Sequence, residues 1–111
     1  MESNKSLRYN QGKLQWSLVD FKSIEALPKV LEFGAKKYSR DNWKKGLNLN
    51  EILDSASRHL FALMSGEQND PESGLPHVGH IMCNMMFYEY HKNKNKSEVD
   101  LENGENDKKE V

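Results

Sequence analysis

Cysteine is almost missing from this chain of 111 residues: Cys83 is the single one. One thiol excludes an internal disulfide and a multi-thiolate zinc site within one chain, and it points to a reducing compartment, hence the cytoplasm. No apolar run approaches the ~20 residues needed to cross a bilayer, so no membrane role is expected. The opening MESNKSLRYN also lacks the hydrophobic segment of a secretory signal. Charge of one sign is lacking too. Sixteen Lys and Arg against seventeen Asp and Glu leave a formal charge of -1, too weak a field to attract nucleic acid or anionic lipid.

Hydrophobic residues are scarce, 36% against 30% charged, with a mean hydropathy of -0.88. The scarcity is uneven. Residues 92–111, KNKNKSEVDLENGENDKKEV, carry few apolar side chains and no repeating apolar face. Such a segment buries too little surface to offset its ordering entropy, and it reads as a disordered charged tail. Residues 1–91 then form the folded domain, near the size at which a single core is marginal, so a homo-oligomer is expected.

Within that domain Leu14, Trp16 and Leu18 alternate with Lys13, Gln15 and Ser17, which suits either an edge strand or an extended arm; with no partner strand in view, the arm is favoured. Ile24, Leu27, Leu31, Ala35 and Tyr38 recur at helical spacing, predicting a helix over about 23–38 that Pro28 weakens or kinks. A second helix is expected over about 49–64, capped by Asn48 or Asn50 and ended at Ser65-Gly66. A third is expected from a Ser73 cap, through Pro76 in its first turn, to about Lys92. The fold class is all-α: a small antiparallel bundle of about three helices with an extended N-terminal arm.

The third helix carries the most chemistry. At ~100° per residue, His77, His80, Asn84, Tyr88 and His91 share an arc of about 80°, while the rest of the surface is largely apolar. A helix of that kind is buried between neighbours, some of them from another subunit. If the second and third helices form an antiparallel hairpin, His59 lies beside Gly79 and His80, and Ser55 beside Cys83 and Asn84. His59, His77, His80, Asn84 and Ser55 then converge, with Asp54 and Arg58 nearby, and Gly79 lets the two backbones approach closely. Such a cluster suits a polar pocket for a purine base or phosphate better than a metal site. His91, near the helix end, reads as a dipole or solvent residue, and Asp70 and Glu72 as carboxylates placed ahead of a helix.

A second concentration lies in residues 32–46, where Lys36, Lys37, Arg40, Lys44 and Lys45 surround Tyr38 and Trp43. Interleaved cations and rings suit a phosphorylated aromatic ligand, and equally a solvated helix end. Arg8, Tyr9, Lys13 and Trp16 repeat the mixture in the arm, which would close over a nucleotide.

Three segments, RYNQGKLQWSLV, LEFGAKKYSRDNW and LDSASRHLFALMSGEQNDPESGLPHVGHIMCNMMFYEY, resemble a phage-borne family described as the N-terminal domain of dATP/dGTP diphosphohydrolase. The resemblance implies hydrolysis of a purine deoxynucleoside triphosphate to monophosphate and diphosphate with a divalent metal, magnesium. The positions that carry over are Arg8, Lys13, Trp16, Glu32, Lys36, Lys37, Tyr38, Asn42 and Trp43, then Asp54, Arg58, His59, Asp70, Glu72, His77, His80 and Asn84. The EExxE and ExxD carboxylates of all-helical nucleotide pyrophosphohydrolases are absent. On the hydrolase reading Glu32 and Asp54 hold magnesium, Lys36, Lys37 and Arg58 neutralise phosphate charge, and His59 or His80 orients or deprotonates water. The alternative is a module that sequesters a small nucleotide, such as a host immune signal, without cleaving it.

Overall fold

The helical periodicities become three α-helices among the residues that the computed structural model describes, 6–103: α1 Ala26–Lys37, α2 Leu49–Met64 and α3 His77–Asn103. No strand interrupts them among the described residues; one isolated antiparallel bridge joins Asn69 to Pro76. The architecture is the all-α bundle expected, with α2 and α3 forming an antiparallel hairpin and α1 packing mainly on α3.

The starts of α1 and α3 differ from the sequence reading for local reasons, while α2 starts where it was expected, at Leu49. α1 begins at Ala26, after a 3-10 turn over Phe21–Ile24, so Pro28 falls in its first turn. Backbone N–H groups there have no intrahelical acceptor, so the proline costs no hydrogen bond. α2 is capped by Asn48, whose side-chain oxygen accepts from the N–H groups of Asn50 at 2.8 Å and Glu51 at 3.2 Å. α3 begins at His77 rather than after Ser73. Pro76 disfavours helical backbone at Leu75, and the chain ahead of it closes a small loop instead: Asp70 N–H donates to the Leu75 carbonyl at 2.8 Å and His77 N–H to that of Gln68 at 2.9 Å. α3 continues past Lys92 to Asn103. The remainder of the tail expectation, on 104–111, lies outside the described residues.

α2 ends in a Schellman motif. Gly66, at φ +101°, lets its own N–H reach the Leu63 carbonyl and that of Glu67 reach the Ala62 carbonyl, both at 3.0 Å. This stop fixes where Glu67 projects.

Among the described residues the buried apolar side chains are few: Val30 on α1, Ile52 and Ala56 on α2, and Cys83 on α3. A second apolar contact lies lower on α3. Trp43, in a 3-10 turn over Asn42–Lys45, stacks on Phe87 with centroids 4.7 Å apart and meets Tyr90 edge-on at 5.0 Å. His91 completes that contact. It is 2% exposed, and its Nε2–H donates to the Trp43 carbonyl at 2.7 Å. The solvent role read for His91 is therefore overturned: the helix runs on past it, and its ring is buried against the carbonyl it bonds.

Gly79 does permit a close backbone approach, but to α1. A Cβ there would lie 2.7 Å from both the Cβ and the carbonyl oxygen of Ala26. The arm forms no strand. It is irregular apart from a 3-10 turn over Trp16–Leu18, and Leu7, Leu14, Trp16 and Leu18 are all exposed.

Candidate functional site

The α2–α3 hairpin brings its polar residues together at the looped end. His59 and His80 stack in parallel, centroids 4.4 Å apart and planes 7° from coplanar. Nδ1 of His59 faces Nδ1 of His77 at 2.9 Å. One turn along, the Asn84 side-chain amide donates to Ser55 Oγ at 3.2 Å. The antiparallel register predicted this pairing of His59 with His80 and of Ser55 with Asn84.

Three residues of the loop complete the cluster; of these the sequence reading carried over only Asp70, from the family resemblance, and placed neither Glu67 nor Ser73 there. Glu67 Oε1 accepts from Nε2–H of His77 at 2.8 Å, and His77 itself is 3% exposed. Ser73 Oγ shares a 2.7 Å hydrogen bond with Nε2 of His80. Asp70 Oδ2 accepts from the Ser73 N–H at 2.9 Å and lies 3.9 Å from Nε2 of His80. Short antiparallel hairpins bring loop side chains back over the first turn of the second helix, so the Asp-Pro-Glu-Ser run held the signal that could have placed Asp70 and Ser73.

Burial sets the charge states. Desolvation, followed by the nearby His80, lowers the pKa of His59 below the ordinary imidazole value. Desolvation lowers that of His80 in the same way, against the pull of Asp70. For Asp70 burial acts upward but is outweighed by the backbone and side-chain hydrogen bonds of Ser73 and by His80, which hold the carboxyl below its usual range. The cluster is thus a pair of stacked neutral imidazoles beside an ionised carboxylate.

His59 and His80 also border a cavity of about 470 Å³ between α1, the Trp43 turn and α3. Lys37, Tyr38, Asn42, Trp43, Ser55, Asn84 and Phe87 line it as well. Its lining contains no Asp or Glu. Lys37 also reaches Glu72 at 2.6 Å, and the hydrogen bond to that carboxylate raises the pKa of the ammonium. A second cavity, about 560 Å³, is lined by Glu32 with Arg40 and Asp41. Trp43 borders both.

The remaining expected residues stand apart. Lys36 and Arg58 are exposed and border neither cavity, as are Arg8, Lys13 and Trp16 on the arm. Asp54 is exposed on α2 and borders neither cavity, and Glu32 is exposed on α1. Among the described residues, the donor group that converges is His59, Asp70 and His77. Two imidazoles and one carboxylate differ from the all-oxygen shell that magnesium takes, so these residues do not fit that ion.

A family model described as "dATP/dGTP diphosphohydrolase, N-terminal" matches residues 3–101. The chain belongs to this family. A dATP/dGTP diphosphohydrolase of Salmonella phage PMBT28 is 37% identical over 81 residues, taking in 73% of this chain and 28% of the relative. The chain therefore spans little more than a quarter of that relative's length. No solved structure gives a significant match. No helix among the described residues is long and apolar enough to cross a membrane.

Proposed function

We propose that the chain binds a purine deoxynucleoside triphosphate in the 470 Å³ cavity and takes part in its hydrolysis to monophosphate and diphosphate. The observation that carries this reading is the composition of the cavity wall. Rings at one side, Tyr38, Trp43 and Phe87, offer faces on which a base stacks. Lys37 supplies a cation for phosphate, Asn42 and Asn84 supply amide donors and acceptors, and His59 and His80 close the polar side. The volume falls within the ~300–1,000 Å³ typical of small-molecule sites.

The chemistry follows from these groups. Lys37, held cationic by Glu72, exchanges that carboxylate for a phosphate oxygen and offsets the negative charge of the polyphosphate. Neutral His59 or His80 accepts a proton from an attacking water held against the phosphate. The Ser73 hydrogen bond orients the His80 ring.

A second reading has its own support. The cavity lining lacks carboxylates, and binding needs only rings, a cation and amides; a module that sequesters a small nucleotide without cleaving it fits this wall equally well. Chromatography of each dNTP incubated with the full chain and magnesium separates the two. Monophosphate and diphosphate from dATP or dGTP support hydrolysis. Calorimetric binding in EDTA with no product from any nucleotide removes hydrolysis and leaves sequestration. No binding and no product removes both.

A further inference from the structure

We propose that His59, Asp70 and His77 form a site for one borderline transition-metal dication, with zinc the representative ion. Nothing in this proposal depends on the nucleotide reading. It begins with an uncommon contact: two imidazoles meet through the same atom, Nδ1 to Nδ1, at 2.9 Å. Two nitrogen ligands of a single ion lie about 2.0–2.1 Å from it, which sets them ~2.9–3.4 Å apart for angles between a right angle and the tetrahedral one. The rings already have that separation. A carboxylate oxygen of Asp70 is the third donor, and the three donor atoms lie within 4.8 Å of one another. To ligate the same ion, the Asp70 oxygen must draw in toward the two nitrogens.

The surroundings of each ligand match those of a metal centre. Glu67 accepts from Nε2–H of His77, which fixes the tautomer and leaves the Nδ1 lone pair facing inward; carboxylates behind metal-bound histidines act in this way. The Schellman motif holds Glu67 in place through its own N–H on the Ala62 carbonyl at 3.0 Å. The Ser73 N–H orients Asp70. His80 stacks flat on His59 and limits the rotation of its ring. In the metal-free chain Nδ1–H of His59 donates to the bare Nδ1 of His77. Metal binding requires His59 to switch tautomer: the proton leaves Nδ1 for solvent and another is taken up at Nε2, so the ring stays neutral and binds through the freed Nδ1 lone pair.

The donor set selects the class of ion. Two imidazole nitrogens and one carboxylate with open positions suit zinc, cobalt, iron or manganese, whereas magnesium and calcium require oxygen. His59 also borders the 470 Å³ cavity, so the open coordination positions face a space of ligand size.

The test uses the full chain stripped of metal with a chelator and then titrated calorimetrically with zinc chloride, cobalt chloride or magnesium chloride alone. One equivalent of zinc per chain is expected, with visible d–d absorption from cobalt and at least hundredfold weaker magnesium binding. Asp70→Asn keeps the acceptor for the Ser73 N–H and should weaken zinc at least tenfold. Glu67→Gln should retain one equivalent with a ~10–100-fold loss of affinity. His59→Ala and His77→Ala should abolish the site. Absence of stoichiometric zinc binding, magnesium binding as tight as zinc, or unchanged zinc affinity in Asp70→Asn and Glu67→Gln chains of native helical content would each overturn the proposal.

Discussion

Replacing Gly79 by alanine tests the closest approach in the bundle. The added Cβ would lie 2.7 Å from the Cβ and from the carbonyl oxygen of Ala26, and 3.0 Å from its carbonyl carbon. Comfortable carbon contacts begin at ~3.5 Å, so the overlap approaches an ångström. Both partners are rigid, one a methyl carbon fixed to the backbone and the other the backbone itself, so no rotamer relieves it. α1 must move away from α3, and overpacking of this kind costs about 1–3 kcal/mol. Working the other way, alanine in place of a helical glycine gains ~0.8–1.0 kcal/mol of intrinsic propensity. The expected balance is a loss of up to roughly 2 kcal/mol, the clash cancelling at least the propensity gain. Gly34→Ala is the matched control. It also lies within a helix, but nothing stands within 4 Å of its Cβ position, so only the ~0.8–1.0 kcal/mol gain remains. Urea unfolding at one fixed protein concentration reads both, with opposite displacements of the midpoint expected. A Gly79→Ala chain stabilised as much as Gly34→Ala would refute the close contact and the helix placement built on it.

Three other outcomes are expected. Burial pushes the Cys83 thiol up to about 12 from an ordinary value of 9.0. Unfolded chains then release this proton near pH 9 while folded chains retain it, so the stability due to this group is complete below pH 9 and declines from there to about pH 12; Cys83→Ala should flatten that part of an alkaline unfolding profile. Asn48→Ala leaves two N–H groups of α2 without their acceptor, for a loss of ~1 kcal/mol in the same urea assay. Lys37→Met removes the ammonium from the cavity wall, and calorimetry should show nucleotide affinity reduced roughly tenfold, the equivalent of one charged hydrogen bond.

The helices and their register were legible because their evidence is local. Apolar spacing defined α2, and an antiparallel hairpin was enough to set His59 on His80 and Asn84 on Ser55. The start of α3 was not legible, since Ser73 has the chemistry of a helix cap and the alternative depends on a cross-loop bridge between Asn69 and Pro76. That bridge also explains why Asp70 and Ser73 were read as helix-end residues rather than as neighbours of His80. The partner of Gly79 was misplaced for a similar reason: a glycine announces a close approach without saying which helix approaches. Trp43 and His91 are far apart in sequence, and only the fold joins a carbonyl on a turn to an imidazole on α3.

The thin interior has a thermodynamic consequence. Val30, Ile52, Ala56 and Cys83 are the buried apolar side chains among the described residues, while Leu60, Phe61 and Met64 on α2 stand open to solvent, as do Leu7, Leu14, Trp16 and Leu18 on the arm. If copies of the chain cover those side chains for one another, folding and association become a single equilibrium, and mass action links the melting point to protein concentration. A tenfold dilution should then lower the thermal midpoint, whereas a self-sufficient monomer would melt at one temperature throughout.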